Sequence, residues 1–164
     1  EMKFVTKQFA PGTTATAEAT VINLTGISQG DGTDERIGSK IKCWRVDIRG
    51  DVSAGLDVYV VQAQDGTPPD KDDFPGTTSG SFIDGTKNNT TLTEWVYHRP
   101  IPHISGVPTP FRIIRKFKGM EVVYGSVATA GTTPVRNGLF LVLRNVSGAT
   151  LSHSLQTRIW YTDP

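Results

Sequence analysis

Residues 40 to 52 read Lys40-Ile-Lys-Cys-Trp-Arg-Val-Asp-Ile-Arg-Gly-Asp-Val52, and this stretch decides the fold class. Apolar and charged side chains alternate through its centre, with Trp44, Val46 and Ile48 set against Arg45, Asp47 and Arg49. Successive side chains of a β-strand point to opposite faces, so this alternation predicts one apolar face and one charged face. We therefore expect a half-buried strand that packs on a second layer.

The rest of the chain consists of similar short runs separated by turn residues. Its 164 residues include 17 glycines and 10 prolines, and no window shows the i, i+3, i+4, i+7 apolar spacing of a helix. Such spacing of strands is typical of a sandwich or a jelly roll, so we predict one all-β domain over residues 1–164 with eight or nine strands. The strands are predicted over Met2–Phe9, Ala19–Leu24, Lys40–Val52, Leu56–Ala63, Thr91–Tyr97, Phe111–Tyr124, Gly138–Asn145 and Ser154–Thr162.

The same alternation predicts which side chains point inward. In the first strand, Met2, Phe4 and Phe9 are expected on the apolar side, and Cys43 is expected to be a buried or half-buried structural thiol. Val46→Asp should then abolish soluble folding, because it would bury an unpaired carboxylate. The core is predicted to contain Trp44, Val46, Ile48, Val58, Val60, Leu139, Leu141, Ile159 and Tyr161.

Composition and missing motifs argue against an enzyme or a membrane-spanning protein. The net charge is +1, there is one cysteine, and no apolar run approaches the ~20 residues of a membrane span. No nucleophile elbow, phosphate-binding loop or dinucleotide fingerprint is present, and His98, His103 and His153 lack ligand spacing. The acidic stretch Asp70–Asp73 lacks the spacing of a calcium loop and is interpreted as a solvated loop.

Basic residues form two local clusters. The first comprises Arg36, Lys40, Lys42, Arg45 and Arg49. In the second, Arg112, Lys116 and Lys118 share one face if Phe111 and Phe117 point inward, whereas Arg115 falls on the apolar side and implies a bulge or an ion pair. Such a face is either merely solvated or a footprint for phosphates, and the pattern alone does not decide between them.

A family resemblance favours the phosphate interpretation. The stretch Ile27–Ile41 contains a Gln-Gly-Asp turn followed by Arg36-Ile-Gly38, and it runs into a strand ending Val46-Asp-Ile-Arg-Gly50. Together with Asn137–Leu143 and the ending Tyr161-Thr-Asp163, this pattern resembles the coat protein of satellite tobacco necrosis virus and the capsid proteins of small circular single-stranded DNA viruses. The resemblance follows the order and approximate spacing of most of the chain, apart from the loop Thr67–Lys87.

The resemblance implies a single eight-stranded antiparallel jelly roll of the viral capsid type. Many copies would assemble into a small icosahedral shell, of the T=1 kind for so short a chain, that packages a viral nucleic acid inside the host cell and becomes the virion. A basic arm is then expected before Glu1. No cofactor is expected; calcium sites occur in this family, but no ligand set matches here. We expect sequence-independent nucleic-acid contacts from Lys3, Lys7, Arg112, Lys116 and Lys118.

A second hypothesis from a different class is an extracellular glycan-binding β-sandwich module. Four asparagines, Asn23, Asn88, Asn89 and Asn145, lie in Asn-x-Ser/Thr patterns that would be glycan acceptors in a secreted protein. Exposed Trp95, Tyr97 or Trp160 would then stack on sugar rings. Uniform particles of megadalton mass would distinguish the capsid hypothesis from this one.

Overall fold

The computed structural model describes residues 1–15, 18–30, 32, 34–69, 92–102, 107–125 and 132–164, and only the backbone of residues 92–98. Every regular element in this part of the chain is a strand. The predicted acidic stretch Asp70–Asp73, His103 and most of the loop Thr67–Lys87 lie outside it. The strands are β1 (Met2–Thr14), β2 (Ala19–Asn23), β3 (Lys40–Val52), β4 (Leu56–Ala63), β5 (Leu92–Ile101), β6 (Thr109–Tyr124), β7 (Pro134–Arg136), β8 (Gly138–Asn145) and β9 (Leu151–Thr162).

The strands form two antiparallel sheets whose order is that of a jelly roll. The first sheet has the order β1-β9-β3-β6-β7 and the second has the order β2-β8-β4-β5. Strand β9 pairs with β1, and β8 pairs with β2, so strands from the end of the chain lie beside strands from its start in both sheets. This is the arrangement of two Greek keys in a jelly roll. The predicted jelly roll is confirmed, with the three-residue β7 as an addition on the edge beside β6.

The main core lies between the two sheets and follows the predicted alternation. Val46 and Ile48 of β3 are fully buried, as are Val58 and Val60 of β4 in the opposite sheet. Leu139, Leu141, Ile159 and Tyr161 are buried as predicted, and Cys43 is a buried free thiol. Burial raises the pKa of the Cys43 thiol to about 12, so it stays protonated and behaves as a small apolar side chain.

A second buried apolar cluster lies on the outer face of the second sheet. Tyr59 and Val61 of β4 pack there with Phe140 and Val142 of β8. These residues alternate with Val58, Val60, Leu139 and Leu141, which point to the main core. The middle of β4 and β8 is therefore apolar on both faces, which explains the continuous apolar run Leu139–Leu143 in the sequence.

The prediction that Trp44 points into the core is wrong. Its side chain is 36% exposed, because the register of β3 against both neighbours shifts between Cys43 and Arg45. A bulge of this kind adds a residue and reverses the alternation on one side of it. The Trp44 ring lies over Gly119, which has a φ of +73°, and its Nε1 donates to Thr162 Oγ1 at 3.1 Å.

The predicted orientation of the first strand is also wrong. Met2 is 58% exposed and Phe4 is 51% exposed, whereas Val5 and Phe9 pack against the core. The strand also continues to Thr14, beyond the predicted end at Phe9, with a register shift between Phe9 and Gly12. Alternating apolar residues occur on both sides of this strand, so the pattern alone did not fix its facing.

The loop that carried the family resemblance is folded around a fully buried arginine. Arg36 Nε donates to the Ile27 carbonyl at 3.2 Å, and Nη1 donates to the Gly38 carbonyl. Its guanidinium lies 4.0 Å from the centre of the Tyr124 ring, and Tyr124 in turn donates to the Thr25 carbonyl at 2.7 Å. Arg36 therefore joins the β2–β3 loop to β6 and is a structural residue, separate from the surface basic residues of its sequence cluster.

Candidate nucleic-acid interface

The outer face of the first sheet presents a regular array of basic and aromatic side chains. Three cross-strand rows run over β1, β9, β3 and β6, each with one residue from each strand. Five of these twelve residues are cations and one is an anion, so the array has a net charge of +4 in a chain whose total is +1. We call it the arginine face: Phe4, Trp160, Arg45 and Lys116; Thr6, Arg158, Asp47 and Ile114; Gln8, Gln156, Arg49 and Arg112.

Asp47 is the single carboxylate of the arginine face and holds its neighbours in place. Arg112 binds it in a bidentate manner, with Nη2–Oδ2 at 2.6 Å and Nε–Oδ1 at 3.1 Å. Arg49 and Arg45 approach the same Oδ2 at 3.5 and 3.6 Å. The hydrogen bond from Arg112 is the main cause that lowers the pKa of Asp47 below its usual value, so this carboxylate stays ionised at neutral pH. One anion thus orients three cations and leaves two positive charges in excess.

The aromatic residues of the arginine face are stacked with its arginines. The Arg45 guanidinium lies 4.5 Å from the centre of the Trp160 ring. Arg158 lies 5.0 Å from the Phe4 ring and 5.7 Å from the Trp160 ring, and its Nε donates to Thr6 Oγ1 at 2.8 Å. Cation–π attraction at these distances holds each guanidinium group against a ring, so cations and aromatic rings are neighbours on this surface.

A shallow open cavity of about 110 Å³ lies in the middle of the arginine face. Arg49 and Arg158 border it from two strands. A water molecule needs only on the order of 10–15 Å³ of such volume, so the cavity admits a larger polar group. The remaining lining residues are Thr6, Asp47, Gln156 and Thr157.

The structure places two of the predicted site residues, Arg112 and Lys116, on the arginine face. Both are exposed, while Phe111 and Ile113 are buried and Phe117 packs against the core, as the alternation predicted. Lys118 is also exposed, but it lies in the irregular segment opposite Trp44, between the paired residues Lys116 and Met120. Arg115 is exposed and pairs in regular register with Val46, so no bulge accounts for its place in the alternation; the irregularity of β6 lies between Lys116 and Met120.

Lys3 and Lys7 are not brought together with these residues. They lie on the opposite face of β1 from Phe4 and Thr6, with Val5 and Phe9. Lys3 Nζ contacts Asp163 Oδ2 and the Glu35 carbonyl, each at 3.0 Å.

Lys7 makes a similar internal contact. Its Nζ donates to the Gly26 carbonyl, and burial lowers its pKa. Lys3 thus joins β1 to the β2–β3 loop and to Asp163, and Lys7 joins β1 to the same loop, so neither ammonium group lies with the cations of the arginine face. Their nucleic-acid role stays a prediction that this geometry does not favour.

Sequence reasoning missed Phe4 and Arg158 as members of the site, and it placed Arg45 and Arg49 only in a local cluster. The signal for Arg158 was present in β9, where Gln156, Arg158 and Trp160 alternate with buried residues. What the sequence could not show is that β9 lies between β1 and β3, because this neighbourhood joins residues more than 100 positions apart.

The described residues contain little that supports a metal or glycan site. No group of three or more His, Cys, Asp or Glu side chains with metal-binding geometry occurs among them.

Asn145, a predicted glycan acceptor, is fully buried, and its Nδ2 donates to the carbonyls of Thr14, Ala15 and Ala149. Trp160 lies under Arg45, and the side chains of Trp95 and Tyr97 are outside the described part of the chain. Within the same residues, no helix has the length and apolarity needed to cross a membrane.

Comparison with known proteins gives matches to solved structures only. A chain from a structure of sacbrood virus of honeybee is similar over 94% of this chain and 72% of the viral chain, with 10% sequence identity and a TM-score of 0.45. A second, from the same virus in expansion state II, matches 94% and 83%, with 10% identity and a TM-score of 0.44. No protein-family model and no curated protein matches the sequence. The chain's own topology and surface therefore carry the assignment of function.

Proposed function

We propose that this chain is the structural subunit of a viral capsid and that many copies assemble into a small icosahedral shell around a nucleic acid genome. In this role the chain is not an enzyme: it acts by burying its edges and loops against copies of itself. It would be located in the virion. The observation that carries the proposal is the strand order of the two sheets.

The strand order supports a shell because it is the architecture that viral coat subunits share with lectins and cupins. Eight long strands in two layers give a rigid unit, and closed symmetry lets one such unit cover a whole particle by repeating the same contacts. The resemblance of the β2–β3 loop to capsid proteins distinguishes among these classes. The buried Arg36 gives that loop a defined shape, as a segment used for contacts between copies requires.

The charge distribution supports packaging of a nucleic acid. The arginine face carries an excess of four positive charges on one side of the first sheet, although the whole chain is nearly neutral. Phosphate contacts of arginine and lysine release counterions and give sequence-independent binding. A shell that places this face inward would line its interior with positive charge from every copy.

The test is to purify the chain and measure its mass by light scattering coupled to size exclusion, with negative-stain microscopy of the same fractions. The proposal predicts uniform closed particles of megadalton mass, against 17.8 kDa for the monomer. It also predicts nucleic acid inside them, seen as an absorbance ratio that nuclease treatment of intact particles does not lower. A monomer at every pH, salt and protein concentration would contradict the proposal, and glycan-array binding by that monomer would favour the sandwich module instead.

A further inference from the structure

We propose that the arginine face is a binding platform for single-stranded nucleic acid, in which bases stack on Phe4 and on the Arg45–Trp160 pair while phosphates bind between Arg49 and Arg158. This inference rests on the proposed packaging function and deepens it, because it names the form of nucleic acid and the residues that select it. It follows from three features of the face: its charge, its exposed rings and its central cavity.

The charge of the face fits a polyanion and not a single small anion. The cations are spread over three rows and four strands, from Lys116 in one row to Arg112 in another. Neighbouring rows on one strand are two residues apart, which is about 7 Å. This distance between rows is similar to the distance between successive phosphates along a strand of nucleic acid. Asp47 neutralises only part of this charge.

The aromatic side chains point to an unpaired strand. Phe4 is 51% exposed at the edge strand β1, where an apolar ring has no evident use in the core. Bases in a duplex are already stacked on one another, but bases of a single strand can stack on aromatic rings and on guanidinium planes. Phe4 and the Trp160–Arg45 pair offer two such planes in one row, and Arg158 of the next row lies against Phe4.

The cavity supplies a phosphate position beside these planes. Arg49 and Arg158 border it, and Thr6 and Gln156 add polar groups that can hydrogen-bond to phosphate oxygens. The Thr6 hydroxyl already accepts from Arg158 Nε, which holds this guanidinium at the rim of the cavity. The ring of Phe4 is next to the same guanidinium, so a nucleotide can place its phosphate in the cavity and its base on the ring.

Fluorescence anisotropy with labelled oligothymidylate of about 20 nucleotides tests the platform, on protein freed of nucleic acid by high-salt chromatography. A mixed-sequence duplex of the same length serves as the second probe. We expect the single strand to bind more tightly than the duplex. Phe4→Ala should weaken oligothymidylate binding roughly 5- to 150-fold, the range for the loss of one stacked base, with no change in the salt slope. Ile37→Ala, at an exposed apolar residue away from the face, is the matched control and should change nothing.

The double variant Arg49→Gln/Arg158→Gln tests the phosphate position. It should lower the slope of log affinity against log salt by about 1.4, since each contact to a single strand contributes about 0.7. Arg136→Gln, at an exposed arginine of β7, is its control. Equal affinity for duplex and single strand, or an unchanged affinity in Phe4→Ala, would overturn the inference even if particles form. If no particles form but oligothymidylate binding still depends on Phe4, the proposed shell is overturned and the binding platform is supported.

Discussion

The outer faces of the two sheets are built from the same kind of strand but differ completely in character. On the first sheet the outer positions of β3 and β9 carry Arg45, Arg49 and Arg158, all at least partly exposed. On the second sheet the outer positions of β4 and β8 carry apolar residues such as Val61 and Val142, both fully buried. The middle of β4 and β8 is therefore buried on both faces, whereas the outer face of the first sheet is charged. The difference indicates that substitutions on the outer face of the second sheet affect stability most, and it leaves the outer face of the first sheet available for the binding proposed above.

The largest effect should come from placing the same charge on each outer face. Val142→Asp buries an unpaired carboxylate in the apolar cluster of the second sheet and should cost several kcal/mol, on the order expected for such a charge. Val46→Asp should do the same from the main core. Gln156→Asp, at an exposed position of the arginine face, should change the free energy of unfolding by less than about 0.5 kcal/mol. Urea denaturation of the three variants measures this, and equal losses would remove the distinction between the faces.

A second comparison sets a buried arginine against an exposed one. Arg36→Gln removes the ring contact and leaves the Ile27 and Gly38 carbonyls without their charged donor, so it should cost about 3 kcal/mol. Arg49→Gln removes a long contact at the surface and should cost under about 1 kcal/mol. The midpoints of chemical denaturation give both values. A loss for Arg49→Gln as large as that for Arg36→Gln would show that the arginine face contributes to the fold itself.

Acidification should weaken the fold through His153, at the joint between β1 and β9. The ring is buried beside Gly12, neither nitrogen has a hydrogen-bond partner in the described structure, and burial lowers its pKa. As the pH falls, the unfolded chain therefore binds a proton at a higher pH than the folded chain does. The stability that the neutral ring provides is fully present above the ordinary histidine pKa of about 6.5 and is lost as the pH falls below it. His153→Leu should reduce the slope of stability against pH between about 7 and 5. Parallel slopes for the variant and the original chain would contradict this.

A small effect on stability, with an opposite effect on binding, is expected from Asp47→Asn. The pKa of Asp47 is lowered by its arginines, so its stabilising contribution is present above the ordinary value of about 4 and is lost on acidification below it. Losing it should cost on the order of 1 kcal/mol, because the three partners are largely exposed. The net charge of the arginine face rises from +4 to +5, so oligothymidylate should bind more tightly at low salt. Weaker binding would mean that Asp47 positions the arginines more than it competes with phosphate.

Sequence alternation predicted most of the fold and about half of the site, and the failures have local causes. Val46, Ile48, Arg112 and Lys116 were placed correctly because their strands are regular at those positions. Trp44 was misplaced because a bulge is invisible to a count of alternating residues.

The first strand shows the limit of this reasoning at the site. It has apolar residues on both sides, and only its contacts with the β2–β3 loop decide which side is buried, so the sequence did not show that Lys3 and Lys7 lie on the other side from the arginine face. Arg158 reaches the site through strand order, which is a non-local property that no single strand pattern contains.

In the proposed particle, a shell of these subunits holds single-stranded nucleic acid against the arginine face. Cryo-electron microscopy of the assembled particles tests it most directly, because it gives the orientation of each subunit and the position of its nucleic acid together. We expect the outer face of the first sheet to line the interior, with density stacked on Phe4 and density for a phosphate between Arg49 and Arg158. A reconstruction with this face on the outer surface, or an interior where ordered nucleic acid contacts other residues, would contradict it.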